Sequence, residues 1–318
     1  MTRPAVRARA VAALVLGLML AGCAAPAADP PSPTTTGATS APASAAPSAG
    51  TTSDAPPAID VSAELGALEE ELDARVGVSA LDTGTGAVVE HRAQERFGFA
   101  STIKVFAVAE LLRRVPPAER EEHVTWTDAD VAAAGYAPVT SAHPGGLTLA
   151  QLAEAAVRES DNLATNLVLE RIGGPAGLTE ALAALGDRST RLVDVEPALN
   201  DVVPGEEANT TTPAAFTADL LAVLEPGYLT EADRDLLLTW MSGNATGDAL
   251  VRAGAPEGWE VQDKSGGAGP MRNDVAVVTP PDGAPIVLTI LTTRNDPDAP
   301  WADELVARTA AVVLEALG

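Results

Sequence analysis

The sequence predicts an α/β fold: an antiparallel sheet built from both chain ends with flanking helices, plus an all-helical inserted domain. Three observations carry this. A hairpin signal lies near residue 82, a second near residue 282, and the stretch between them, from about 101 to 255, is rich in helical patterning. The α/β part is therefore expected at about 58–100 and 256–318.

Taken in order, Leu65, Leu68 and Leu72 share one helical face, while Glu64, Glu69, Glu70 and Glu71 lie largely on the others. Val76–Leu81 and Ala87–His91 flank Asp82-Thr-Gly-Thr-Gly86, a strand–turn–strand pattern. Val105, Phe106, Val108, Leu111 and Leu112 predict a helix, and 149–157 predicts another. The stretch from roughly 188 to 212 has few regular-structure signals. Val275–Val278 and Pro285–Thr292 flank Pro280-Pro-Asp-Gly283 as a second hairpin. Trp301, Leu305, Val312, Val313 and Leu317 predict a closing helix. No internal repeat is visible.

Of the 318 residues, 46% are hydrophobic, enough for a large core and too many for a wholly disordered chain. The net charge of −24 argues against nucleic acid as a partner, because phosphate contacts need clustered Lys and Arg. His91, His123 and His143 stand twenty or more positions apart and Cys23 is the single cysteine, so no zinc-ligand spacing can be assembled. No metal and no cofactor is expected, and a monomer is the default.

Residues 1–22 read as an export signal. Arg3, Arg7 and Arg9 precede the apolar run Ala10–Leu20, which is too short to span a bilayer as a stable helix. The run ends in Leu20-Ala21-Gly22-Cys23, which resembles the lipobox of bacterial lipoproteins. The resemblance implies that the Cys23 thiol carries lipid and that Cys23 becomes the first mature residue. Removing residues 1–22 takes away three arginines and no acids, which brings the net charge from −24 to −27. Beyond Cys23, the segment 23–57 is Ala, Pro, Ser, Thr and Gly with almost no large apolar residue. It predicts a solvated tether that holds a domain, 58–318, off the outer face of the cell membrane.

The positive charges hold the sharpest clue. Eighteen are arginines and two are lysines, Lys104 and Lys264. Arg stays protonated, whereas a buried Lys amine can shift its pKa and exchange protons. Lys104 stands in Ser101-Thr102-Ile103-Lys104 at the start of an apolar helical stretch, which puts both side chains on one face, a turn apart. An amine at that range can take the proton of a serine hydroxyl, a poor nucleophile until it loses it. The helix N-terminus also favours a developing oxyanion. Read alone, the same four residues could be a capping Ser and a surface Lys.

Three further strings stand out. Lys264-Ser265-Gly266-Gly267 precedes the C-terminal strand, and glycine there lets a ligand approach the backbone. By itself it is also a Gly-rich turn between strands. Ser160-Asp161-Asn162 follows the 149–157 helix and could be a polar junction. Glu196-Pro197-Ala198-Leu199-Asn200 sets a carboxylate and an amide four residues apart, able to hold and aim one water between them.

Together the four strings resemble the class A serine β-lactamases of the penicillin-recognising superfamily, whose signature is S-x-x-K, S-D-N, E-x-x-x-N and K-[ST]-G in that order. The resemblance covers about 58–318, including Tyr136-Ala-Pro-Val-Thr140 and Thr210-Thr-Thr-Pro213. It implies hydrolysis of the β-lactam amide of penicillins and cephalosporins through an acyl-enzyme. Ser101 would be the nucleophile, and Lys104 would assist removal of its proton. Ser160 would relay a proton to the departing nitrogen, and Glu196 with Asn200 would activate the hydrolytic water. Asn162, Lys264, Ser265 and Tyr136 would bind substrate. The backbone amides of Ser101 and Gly267, with Gly266 beside them, would form the oxyanion hole. Arg272 would be an extra partner for the substrate carboxylate.

Two departures stand against the family pattern. The family usually writes Arg-Leu-Asp-Arg before the catalytic Glu, and here the string is Arg191-Leu192-Val193-Asp194. The usual Asp partner before Thr-Thr-Pro is Asn209. An Arg–Asp pair thus becomes an Asp194–Asn209 hydrogen bond, and the loop carrying Glu196 is expected to be looser. The Gly266–Gly269 string is also expected to loosen one wall of the site. Two other functions compete. A D,D-peptidase or penicillin-binding protein shares S-x-x-K and K-[ST]-G but lacks the Glu196–Asn200 device. A lipid-anchored binding protein would keep the fold without turnover. No G-x-S-x-G, P-loop or dinucleotide glycine fingerprint is present.

Overall fold

The structure, a computed structural model, describes residues 58–318. The export signal, Cys23 and the 23–57 tether lie outside the described residues. Near the N-terminal end come β1 (Ala58–Ile59), α1 (Ser62–Glu71), β2 (Ala74–Asp82) and β3 (Val88–His91). The C-terminal end supplies β8 (Glu260–Ala268), β9 (Met271–Thr279), β10 (Ile286–Arg294) and α10 (Asp303–Leu317). The sheet runs β1-β3-β2-β10-β9-β8. The seam between the two ends is the antiparallel β2–β10 pair, in register from Asp82↔Ile286 to Ala74↔Arg294. All neighbours are antiparallel except the two-residue β1, which adds parallel to β3 and so corrects the all-antiparallel expectation.

Period-two alternation divides the core. Val275, Val277 and Val287 face the helical body, whereas Ala276, Val278, Ile286, Leu288 and Ile290 face α1 and α10. Leu65 and Leu68 bury the predicted face of α1. The helical body is built around α2 (Lys104–Arg114), buried from Lys104 through Leu112. Around it stand α3 (Asp128–Ala134), α4 (Leu149–Arg158), α5 (Asn162–Arg171), α6 (Gly174–Leu185), α7 (Pro213–Leu224), α8 (Glu231–Ser242) and the short α9 (Val251–Gly254). Two small strand pairs punctuate this region: β4 (Phe97–Gly98) with β7 (Thr210–Thr211), and β5 (His123–Val124) with β6 (Leu147–Thr148).

Two expectations need correction. Lys264-Ser-Gly-Gly267 is the interior of β8, with Lys264 opposite Val275 and Gly267 opposite Arg272, not a turn before a strand. Its glycines escaped notice as strand residues because Gly weakens strands, yet Gly266 lets β8 lie close against the backbone around Ser101. A Cβ on Gly266 would stand 3.0 Å from both the Phe99 carbonyl oxygen and the Thr102 nitrogen. β8 is the edge strand of the sheet and is paired with β9 along its whole length. Trp301 lies before α10, 45% exposed, rather than in the helix core.

A buried ion pair fastens α2 to α8. Arg120 donates to the Asp233 carboxylate, to the Val115 carbonyl at 2.6 Å and to the Leu112 carbonyl at 2.5 Å. Asp233→Ala would leave that guanidinium uncompensated and should cost about 3–5 kcal/mol in urea unfolding. Arg308→Ala, which breaks the exposed pair with Glu71, should cost no more than about 1 kcal/mol.

Candidate active site

Four chain segments converge at the junction of the sheet and the helical body. Ser101 sits in a 3₁₀ turn, Ala100–Ile103, that runs directly into α2, whose first residue is Lys104. Ala100 holds a left-handed φ of +47° and Ser160 one of +54°. Non-glycine residues in this region store strain, which collects at functional sites. At Ser160 the turn comes just before Asp161, which caps α5 by accepting from the Ala164 N–H at 2.9 Å. The same Asp161 carboxylate accepts from the Val139 and Thr140 N–H groups at 2.9 and 2.8 Å, fixing the segment that follows Tyr136.

The Lys104 ammonium is wholly buried and fully used. It donates to the Asn162 Oδ1 at 2.6 Å and the Ser160 carbonyl at 2.8 Å, and pairs with Glu196 Oε1 at 2.9 Å. Burial pulls its pKa below the ordinary lysine value, against the opposing pull of Glu196. The Ser101 hydroxyl donates to the same Glu196 oxygen at 3.2 Å. One carboxylate oxygen thus joins the candidate nucleophile to the candidate base. The other, Oε2, accepts from Asn200 Nδ2 at 2.8 Å. Asn200 Oδ1 is buried with no donor among the described residues, which leaves an acceptor for a water hydrogen beside the carboxylate.

Lys264, also wholly buried, reaches in from β8 and donates to Ser160 Oγ at 3.1 Å. Burial first, and then the nearby Lys104 charge, lower its pKa to about 7. Lys104 approaches the same hydroxyl at 3.4 Å. Ser160 Oγ accepts from Lys264, so its own O–H is free to donate elsewhere. Beside Lys264, the Ser265 hydroxyl shares a 2.6 Å hydrogen bond with Thr246.

These groups border a cavity of about 570 Å³ lined by Ser101, Tyr136, Ser160, Asn162, Asn200, Ser265, Gly266, Gly267 and Arg272. Lys104, Lys264 and Glu196 stand behind that lining. Asn162 gives one amide N–H to the Ala134 carbonyl at 3.0 Å and keeps the second N–H for a ligand. The candidate catalytic and substrate-binding residues of 58–318 are therefore brought to one place. Sequence reasoning missed four neighbours. Asn166 accepts from the Glu196 N–H and donates to the Glu196 carbonyl, both at 2.9 Å. It lies four residues after Asn162 on α5, a helical spacing that could have found it. Thr246, Trp301 and Asp303 carry no local pattern. Arg272 pairs with Asp303 at 2.6 Å and lies 5.1 Å from the Trp301 ring centre.

The comparisons agree with this geometry. A profile described as the β-lactamase enzyme family matches residues 60–317. The chain belongs to that family. It is 45% identical over 252 residues to a β-lactamase of Bacillus licheniformis, spanning 79% of this chain and 81% of the relative. A β-lactamase of Amycolatopsis lactamdurans is 44% identical over 265 residues, spanning 83% of this chain and 87% of the relative. Among solved structures, the class A β-lactamase of Clostridium kluyveri superposes with a TM-score of 0.78 at 39% identity, covering 80% of this chain and 97% of that one. The β-lactamase of Streptomyces albus G gives 0.78 at 40% identity, covering 80% and 98%. The fold is that of the class A β-lactamases.

Within this family member the loop neck departs from the family pattern as the sequence indicates. Asn209, 1% exposed, closes it at three points. Its Nδ2 donates to Asp194 Oδ2 at 2.9 Å, and its Oδ1 accepts from the Val193 and Asp194 N–H groups at 3.0 and 3.2 Å. Asn209→Ala should lose about 1–3 kcal/mol locally. Hydrogen exchange should then quicken across 192–209 while β8–β10 stay protected.

Proposed function

We propose that this class A serine β-lactamase opens its substrate through an ester on Ser101 and clears that ester with a water activated by Glu196. Class A membership fixes the reaction as β-lactam hydrolysis; the residue roles are the reading offered here. The observation that carries it is the shared Glu196 Oε1, which accepts from Ser101 and pairs with Lys104.

In the first half-reaction the Ser101 hydroxyl attacks the lactam carbonyl and gives its proton to the Lys104–Glu196 pair. The backbone N–H groups of Ser101 and Gly267 receive the negative oxygen. As the carbon–nitrogen bond breaks, Ser160 passes its proton to the leaving nitrogen and is restored through the amines that face it. Lys264, Ser265 and Arg272 hold the substrate carboxylate, while Asn162 donates to the side-chain amide and Tyr136 covers one edge. In the second half-reaction Glu196 and Asn200 orient a water. Glu196 takes its proton as the hydroxide attacks the ester, and Ser101 recovers a proton as it leaves. A D,D-peptidase reading is disfavoured by the Glu196–Asn200 contact at 2.8 Å, which such enzymes lack.

Ser101→Ala should lose both turnover and covalent labelling by penicillin. Glu196→Ala should still acylate. Without its counter-charge, buried Lys104 becomes a neutral amine and can itself take the serine proton. Deacylation should fall by at least about 10²-fold, the scale of general-base assistance. Mass spectrometry after brief exposure to penicillin should then show a persistent adduct of Glu196→Ala and none of Ser101→Ala.

We also propose that the enzyme is exported and anchored through lipid on Cys23, with the 23–57 segment as spacer and the lipobox resemblance as support. Cys23→Ser should move the activity from the membrane fraction to the soluble fraction. Unchanged fractionation would contradict the anchor.

A further inference from the structure

On the far side of the Glu196 loop, α7 carries a second carboxyl cluster. Asp219 is 2% exposed, and no described residue donates a hydrogen bond to its Oδ2. Asp187 lines the adjoining cavity, and its carboxyl lies in contact with that of Asp219. Gln94, Arg188, Ser189 and Thr212 are the other polar residues that line this cavity, about 320 Å³ in volume. Two ionised carboxylates do not share such a contact, so one of them holds a proton.

We propose that Asp219 is a positioning residue for the Glu196 loop: as a neutral acid it donates to Asp187 and so fastens the start of the loop to α7. The inference rests on the reading of Glu196 as the deacylating base. Contacts run continuously from the pair to the loop neck. Asp187 Oδ1 accepts from the Ser189 and Thr190 N–H groups at 2.6 and 3.1 Å. The Thr190 and Thr211 hydroxyls share a hydrogen bond of 2.6 Å. Arg191 N–H donates to the Thr210 carbonyl at 3.0 Å, and Asn209 N–H returns to the Arg191 carbonyl at 2.7 Å. Asn209 is the residue that closes the neck. The anchor is rigid, because the Thr217 hydroxyl ties α7 to the sheet at Ser79 and Thr289, both at 2.9 Å.

The charges around the pair are few. Asp187 faces Asp219 from the end of α6, and Arg188 lines the cavity. Arg96, just before β4, donates to the Ser189 carbonyl at 2.7 Å and pairs with Glu207 at 3.3 Å. The sheet side presents a carbonyl and a hydroxyl to Thr217, neither of which titrates in the working range. Burial, then the Asp187 charge, push Asp219 from 3.8 up to about 9. The native state therefore keeps a proton that the unfolded chain releases near pH 4. Asp219's contribution to stability is complete below that pH, declines as pH rises, and stops declining above about 9.

Asp219→Asn preserves a neutral donor and tests the proposal. At pH 7 it should deacylate at the wild-type rate. Between pH 8 and 10 wild type should show a several-fold fall in deacylation rate that Asp219→Asn lacks. Its melting temperature should exceed that of wild type by a margin that grows from pH 5 to 9. Asp219→Ala, with no donor, should deacylate at least about fivefold more slowly at pH 7 with acylation unchanged. Superimposable pH profiles for wild type and Asp219→Asn would overturn the proposal. So would calcium-dependent stabilisation of wild type that Asp219→Asn lacks, since a cation would then occupy the pair. If Glu196→Ala were to turn over normally, the Glu196 reading would fall, while the melting profiles would still decide the shared proton.

Discussion

The contact between the buried Lys104 ammonium and Glu196 Oε1, 2.9 Å apart and both shut off from solvent, sets the terms for everything around it. Burying either charge alone costs several kcal/mol, and attraction repays this only where the remaining hydrogen bonds are also made. Here they are made by three groups from two segments: the Ser160 carbonyl and the Asn162 amide at the turn into α5, and the Ser101 hydroxyl before α2. The pair therefore stitches the start of α2, the turn into α5 and the irregular 188–212 loop into one structure. The arrangement that balances the charges is also the one that brings nucleophile, base and water-orienting amide together.

That dependence explains the fixtures on the loop. Glu196 supplies the counter-charge from a segment with almost no regular structure, so its position must be enforced from outside. Asn166 grips its backbone from α5, Asn209 closes the neck, and the Asp187–Asp219 contact ties its start to α7. The sheet does the matching work for Lys264. Its place inside β8 sets the amine against Ser160 from the opposite side to Lys104. Burial lowers the pKa of both amines, and the Lys104 charge lowers that of Lys264 further. Nearby Asp263 is pushed up to about 6 by burial even though Arg252 pairs with it.

The sequence made the chemistry more legible than the geometry. Hairpins read near 82 and 282 became β2–β3 and β9–β10, because alternation and turn residues are local signals. The β8 strand was hidden, since Gly266 and Gly267 read as a turn, and only the fold shows the Ser101 backbone closing on Gly266 and the Arg272 side chain on Gly267. Trp301 looked like core from its hydrophobicity and instead lies beside Arg272, a contact only tertiary packing makes. Ser101, Lys104, Ser160, Glu196 and Lys264 were found through short strings whose spacing is local. Thr246, Asp303 and Asp219 stand in no string, and their roles arise only when distant segments meet. Loss of the family's Arg–Asp pair was legible in the sequence, but not that Asn209 would accept two hydrogen bonds and donate one at that neck.

Because the chain has only two lysines, its electrostatic account can be tested with unusual economy. Protein labelled with ¹³C at lysine Cε should give two side-chain signals, one from Lys104 and one from Lys264. Following them with pH in the free enzyme reads both amines directly, and Lys264→Arg assigns them. The account predicts that Lys264 titrates near 7 and that Lys104 also titrates below the ordinary lysine value of 10.5. Two signals that both titrate at about 10.5 would mean that the amines are solvated rather than buried against Ser160 and Glu196, and would contradict it.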